Sequence, residues 1–169
     1  MKFFIYATLF LSGLFLISCQ STKDIYIVRH AEKSTEPAND PHLTAEGKLR
    51  AETLKDILKD KKIKAIFSTE KKRTVETATP LSKLMNIPIQ YYGNDTLQNF
   101  LQMVTGLKKN ALIIGHSNTC ITMISTLNLP YTITFIPDNG YENIFIIKIK
   151  KRKPVKIIET YYNSLSPKN

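Results

Sequence analysis

Three short runs in this chain are apolar almost throughout and rich in isoleucine: "DIYIV" from Asp24, "IKAIFS" from Ile63 and "NALIIG" from Asn110. A strand that is apolar on both faces has to be covered on both faces, which is the situation of a parallel sheet with helices above and below it. The runs therefore predict an α/β fold, a three-layer α/β/α sandwich with a mostly parallel central sheet. The segments between them have helical spacing. "LTAEGKLRAETLKDILKDKK" offers Thr44 as N-cap and Leu54, Ile57 and Leu58 for an inner face. "EKKRTVETATPLSKLM" predicts a helix that Pro80 kinks or divides. "IPIQYY" predicts a short strand, "DTLQNFLQMVTG" a helix closed by Gly106, and "NTCITMISTLNL" a last helix. At the end, "YENIFIIKIK" and "VKIIETYY" flank "KRKP", which predicts a C-terminal antiparallel hairpin with Lys150 to Lys153 as its solvated turn.

The first residues are set apart from this pattern. Lys2 precedes an apolar run from Phe3 to Ile17, too short to span a bilayer comfortably, and the run ends in "LISC". This arrangement resembles the lipobox of bacterial lipoproteins, in which the preceding peptide is removed and the cysteine is lipid-modified. The expectation is a signal peptide over residues 1–18, lipidation at Cys19, a tether over 19–23 and one domain over 24–169. The protein is then exported and lipid-anchored in the cell envelope, periplasmic or at the surface. Cys120 is the one thiol left, and its place in a helix predicts buried packing rather than nucleophilic work. The formal charge is +10, and Lys2 is the only charge before Cys19, so +9 belongs to the domain. Such basicity suits acidic substrates or an anionic surface, and the sequence does not choose between them. No arginine-rich or aromatic-interleaved strip is present, so no nucleic-acid partner is expected.

Ligands of open α/β sheets bind beyond the carboxyl ends of the strands. There the first run delivers Arg29 and His30, the second Ser68, Thr69 and, a helical turn later, Arg73, and the third His116, Ser117 and Asn118. Two guanidinium forks converging on one edge suit a tetrahedral oxyanion such as phosphate. A neutral histidine between them can attack phosphorus, provided a backbone carbonyl fixes the proton on its other nitrogen. A second histidine, protonated beside bound phosphate, would stabilise charge on the equatorial oxygens. Ser117 and Asn118 open a helix whose first N–H groups add donors. Zinc on His30 and His116 would need His42 as third ligand, next to two repelling arginines.

Taken in order, "VRHAEK", "LTAEG", "STEKKRTVETA" and "IIGHSNT" resemble the histidine phosphatase superfamily, also called the phosphoglycerate mutase-like family, from Asp24 to about Asn128. The resemblance implies His30 as the phosphorylated nucleophile, Arg29 and Arg73 as phosphate ligands, His116 as the second histidine, and neither metal nor organic cofactor. Ala31 stands where a glycine often follows the pair. Ser117 stands where the acid-phosphatase branch keeps an aspartate. The short chain resembles the branch that includes phosphohistidine phosphatases, and an open site would suit varied substrates.

A leaving alkoxide needs a proton, so a carboxyl is wanted in reach. Asp95 ranks first, since its place after "IPIQYY", 22 residues beyond Arg73, resembles that of the acid in the mutase-like branch. Glu32 is next and Asp138 third. The expected activity is hydrolysis of phosphomonoesters or phosphoramidates, from a small molecule or a phosphoprotein. A non-catalytic envelope receptor for phosphorylated ligands and a mutase-type phosphotransferase are the alternatives. The loop from Ser34 to Leu43 is expected to cover part of the site.

Overall fold

A computed structural model describes residues 22–93 and 97–162. The leader, Cys19 and most of the tether, as well as Asp95, lie outside the described residues. In chain order the elements are β1 (Lys23–Arg29), α1 (Ala45–Leu58), β2 (Ile63–Ser68), α2 (Lys72–Met85), β3 (Ile89–Tyr91), α3 (Leu97–Gly106), β4 (Asn110–Gly115), α4 (Ser117–Ser125), β5 (Asn143–Lys150) and β6 (Lys153–Tyr161). The strands form one mixed sheet in the order β3-β2-β4-β1-β5-β6. β1 to β4 run parallel, and β5 and β6 are the expected antiparallel hairpin.

Alternate residues of β1 feed two cores. Ile25 and Ile27 pack with Phe100, Val104, Cys120 and Met123 of α3 and α4. Tyr26 and Val28 pack with Leu54, Leu58, Ala78 and Leu81 of α1 and α2. This is the physical reason the strand is apolar on both faces, and it makes the three layers. Cys120 is fully buried, and burial pushes its thiol up to about 12, so it packs as a small hydrophobe.

Several local expectations need correction. Lys23, assigned to the tether, is the first residue of β1, and its ammonium donates to the Thr105 carbonyl at 2.7 Å in the last turn of α3. Ile57 is half exposed, because the buried stripe of α1 runs through Gly47, Arg50, Ala51, Leu54 and Leu58. Pro80 does not divide α2, which runs unbroken from Lys72 to Met85. The ring removes one hydrogen bond, while Ala78 and Leu81 on either side stay buried against the sheet. Thr44 caps α1 as expected, accepting from Gly47 N at 3.0 Å. A Cβ at Gly47 would lie 2.2 Å from the Glu32 carbonyl oxygen, so glycine is what lets α1 approach the loop after β1.

Candidate active site

The register of the sheet brings the strand ends together. Arg29 pairs with Gly115 and Ser68 with Ile114, so the residues that follow β1, β2 and β4 emerge side by side. His30 and His116 are there with ring centroids 5.5 Å apart. Arg29 and Arg73 lie close enough that each helps depress the protonation of both imidazoles. An open cleft of about 530 Å³ lies alongside, lined by Asp40, Thr69, Lys71, Tyr91, Gly93 and His116 among others.

His30 is 3% exposed. Its Nδ1 lies 2.8 Å from the Ala31 carbonyl, which can only accept, so Nδ1 carries the proton and Nε2 keeps its lone pair. Burial, with Arg29, His116 and Arg73 adding positive charge nearby, lowers its pKa to about 3 against the one opposing hydrogen bond. His116 has the opposite tautomer. Its Nδ1 faces Arg73 Nη2 at 3.5 Å, a group that can only donate, so the proton sits on Nε2 and is given to Thr69 Oγ1 at 3.1 Å. Thr69 then donates to Thr74 Oγ1 at 2.9 Å and Thr74 to the Lys71 carbonyl at 2.7 Å. Burial and the nearby charges of Arg73, Arg29 and Lys71 lower His116 to about 4, so the second histidine is neutral near pH 7.

Arg29 is 4% exposed and only partly free. Its Nη1 donates to the carbonyls of Pro137 at 2.6 Å and Gly140 at 2.8 Å, and its guanidinium lies 4.4 Å from the centre of the Tyr141 ring. Arg73 has a long contact to Asp40, 3.9 Å. The Nε atoms of both arginines are buried and have no partner among the described residues. Ser117 begins α4, and Asn118 turns its side-chain oxygen onto the Thr119 N–H at 2.9 Å, which leaves its amide group for other work.

Glu32 is placed elsewhere. Its carboxylate receives Arg50 Nε at 2.7 and 2.9 Å and Nη2 at 2.5 Å, and Arg50 also donates to the Tyr162 carbonyl at 3.1 Å. This buried pair ties the loop after β1 to α1. His42 is exposed and hydrogen-bonded to Glu76. Asp138 is exposed in the turn that supplies carbonyls to Arg29. The loop from Ser34 to Leu43 does reach the site, since Asp40 lines the cleft and accepts from Lys72 N at 3.0 Å. Sequence reasoning missed Tyr141, whose ring is 6.0 Å from His30, and the threonine relay behind His116. The one signal for Tyr141 was an aromatic following "PDNG" just ahead of a strand.

These imidazoles make folding pH-dependent. Between pH 6.5 and about 4 the unfolded chain binds protons that both folded histidines refuse, so stability is full above that window and falls as pH drops through it. Each fully titrating imidazole is expected to contribute a slope of about 1.4 kcal/mol per pH unit. Urea denaturation at a series of pH values should show this slope, and His30→Ala should reduce it.

Residues 25–94 match a family model described as the histidine phosphatase superfamily, branch 1. No curated protein sequence matches. Among solved structures, YhfR of Bacillus stearothermophilus is similar with a TM-score of 0.68 and 16% identity, over 85% of this chain and 100% of that one. The protein histidine phosphatase SixA, solved with tungstate, gives 0.66 and 16%, over 82% and 96%. Phosphoglycerate mutase of Plasmodium falciparum gives 0.57 and 21%, over 88% and 95%. The chain thus shares the fold of these structures over most of its length, and residues 25–94 are where its own sequence matches the histidine phosphatase model.

Proposed function

We propose that the protein is a phosphatase of the histidine phosphatase superfamily that hydrolyses phosphomonoesters or phosphoramidates through a phosphohistidine at His30. The observation that carries this reading is the lone pair of His30 Nε2, held free by the Ala31 carbonyl close to a buried Arg29 and a half-buried Arg73 whose Nε atoms have no partner among the described residues. Phosphate binds to the open edges of Arg29 and Arg73 and the first N–H groups of α4. Drawing Arg73 onto phosphate frees Nδ1 of His116, which then takes up a proton and stabilises the transferring group. Nε2 of His30 forms the N–P bond as the ester P–O bond breaks, and the leaving oxygen takes a proton from Asp95. Water then attacks phosphorus, the N–P bond breaks, and the water's proton returns to Asp95. No step calls for a metal ion or an organic cofactor. Asp95 is assigned from its sequence position, and Gly93, two residues before it, lines the cleft. Glu32 is excluded by its pairing with Arg50.

The cleft is open, which favours transfer to water over retention of the phosphoryl group, and hence a phosphatase over a mutase. The intact nucleophile favours an enzyme over a receptor. The export signal and Cys19 support an envelope protein held to a membrane by lipid. The test is phosphate release from an aryl and an alkyl phosphate by the full chain. Asp95→Asn should slow the alkyl ester about a hundredfold and the aryl ester far less, because an aryl oxide leaves without help. Equal slowing of the two would remove Asp95 from the proton transfer.

A further inference from the structure

Much of the domain's exposed basic charge lies at the end of the sheet opposite the histidines. Three turns there carry exposed cations: Lys61 and Lys62 ahead of β2, Lys108 and Lys109 ahead of β4, and Lys151 and Arg152 between β5 and β6. Register places the turns ahead of β2 and β4 side by side and the hairpin tip across the start of β1 from them. Ile63 pairs with Asn110, and Lys23 pairs with Ile149 just before the hairpin tip. Asn110 fastens the group, donating to the Lys61 carbonyl at 2.7 Å and accepting from Asp24 N at 2.9 Å. Of the acids at this end, Asp24 is taken by Lys148 at 2.7 Å, Asp56 lies 3.6 Å from Lys59, and Asp60 stands exposed among the cations. The acids Asp40 and Glu70 line the cleft at the other end.

The backbone adds a second observation. Lys62, Lys151 and Arg152 have φ of 53°, 51° and 64°, left-handed positions that glycine or asparagine fill more easily. Among the described residues the other non-glycine positions of this kind are Asn86 and Asn128. Charge has therefore been kept at three places where turn chemistry favours a small neutral residue.

The chain also enters the domain at this end. Cys19 lies four residues before Lys23, a distance of at most about 14 Å when extended. We propose that the basic end is a docking face for a bilayer rich in anionic lipid, so that anchor and turns together hold the cleft facing away from the membrane. This rests on the lipid-anchor reading above. Anionic headgroups attract cations within about a Debye length, roughly 10 Å at 0.1 M salt, and so short a tether brings the turns within that range. The six cations have no aromatic residues among them on which bases could stack, and this favours lipid over nucleic acid.

The experiment uses the full chain, processed at Cys19, purified in detergent and reconstituted into vesicles of phosphatidylcholine alone or with added phosphatidylglycerol. Lysine acylation is read by mass spectrometry. Labelling of Lys61, Lys62, Lys108, Lys109 and Lys151 is expected to fall about fivefold on the anionic vesicles and to recover in high salt, while Lys33 and Lys72 stay unchanged. Equal labelling on both vesicles, loss at Lys33 and Lys72 instead, or stronger protection by added duplex DNA than by phosphatidylglycerol would overturn the proposal. Flotation with neutral vesicles reports the anchor alone, so failure of the anchor and failure of the face are separately visible.

Discussion

His30→Ala is expected to lower phosphate release by at least about a thousandfold, because it removes the atom to which we assign the N–P bond and leaves only binding and electrostatics behind. The two arginines remain in the variant, so orthophosphate should still bind it. In the unsubstituted protein, rapid acid-free quenching during turnover should leave a phosphoryl group on the peptide containing His30, labile to acid. The variant should show none. Retention of activity within tenfold, with no labelled peptide in either protein, would sink the covalent route. The pKa of about 3 at His30 adds a further expectation, that the nucleophile is fully available at pH 5 as well as at pH 8. Loss of rate between these values would then belong to the proton donor, to the protonation of His116 or to unfolding, and the stability slope described above identifies the last.

The second large effect concerns a residue with no part in the chemistry. Arg50→Ala is expected to destabilise the fold by about 3–5 kcal/mol, since it leaves the buried Glu32 carboxylate without its three hydrogen bonds and without a counter-charge. Replacing both members by apolar residues, Glu32→Leu with Arg50→Met, should recover much of the loss, as the desolvation of both charges disappears together. Urea midpoints of the two variants measure this. Glu32→Gln should keep nearly full turnover per folded molecule. A folded but inactive Glu32→Gln protein would return that carboxyl to the list of proton donors.

The sheet was legible because a strand buried on both faces leaves a continuous apolar run, and β1, β2 and β4 are all of that kind. From the strand ends it was a short step to Arg29, His30 and His116, whose place needs only the direction of the chain. Glu32 shows where that reasoning stops. Two residues beyond His30, a carboxylate looks catalytic, and only the packing of α1 against the loop reveals that Arg50, a residue with the appearance of an exposed helical arginine, has claimed it. Ile57 failed for a related reason, since a helix carries more apolar residues than its buried stripe can hold. Tyr141 and the carbonyls of Pro137 and Gly140 reach Arg29 across more than a hundred residues of sequence, through a loop whose course no local pattern determines. Asp40 enters the cleft by the same kind of long-range folding.

The stacking of Tyr141 on Arg29 has a practical consequence. The chain contains no tryptophan. An indole introduced at position 141 would be the sole strong ultraviolet fluorophore in the protein, resting on the cation that an arriving anion must share. Its emission would report site occupancy directly, on a dark background, and would give binding constants for candidate substrates before any of them had been turned over.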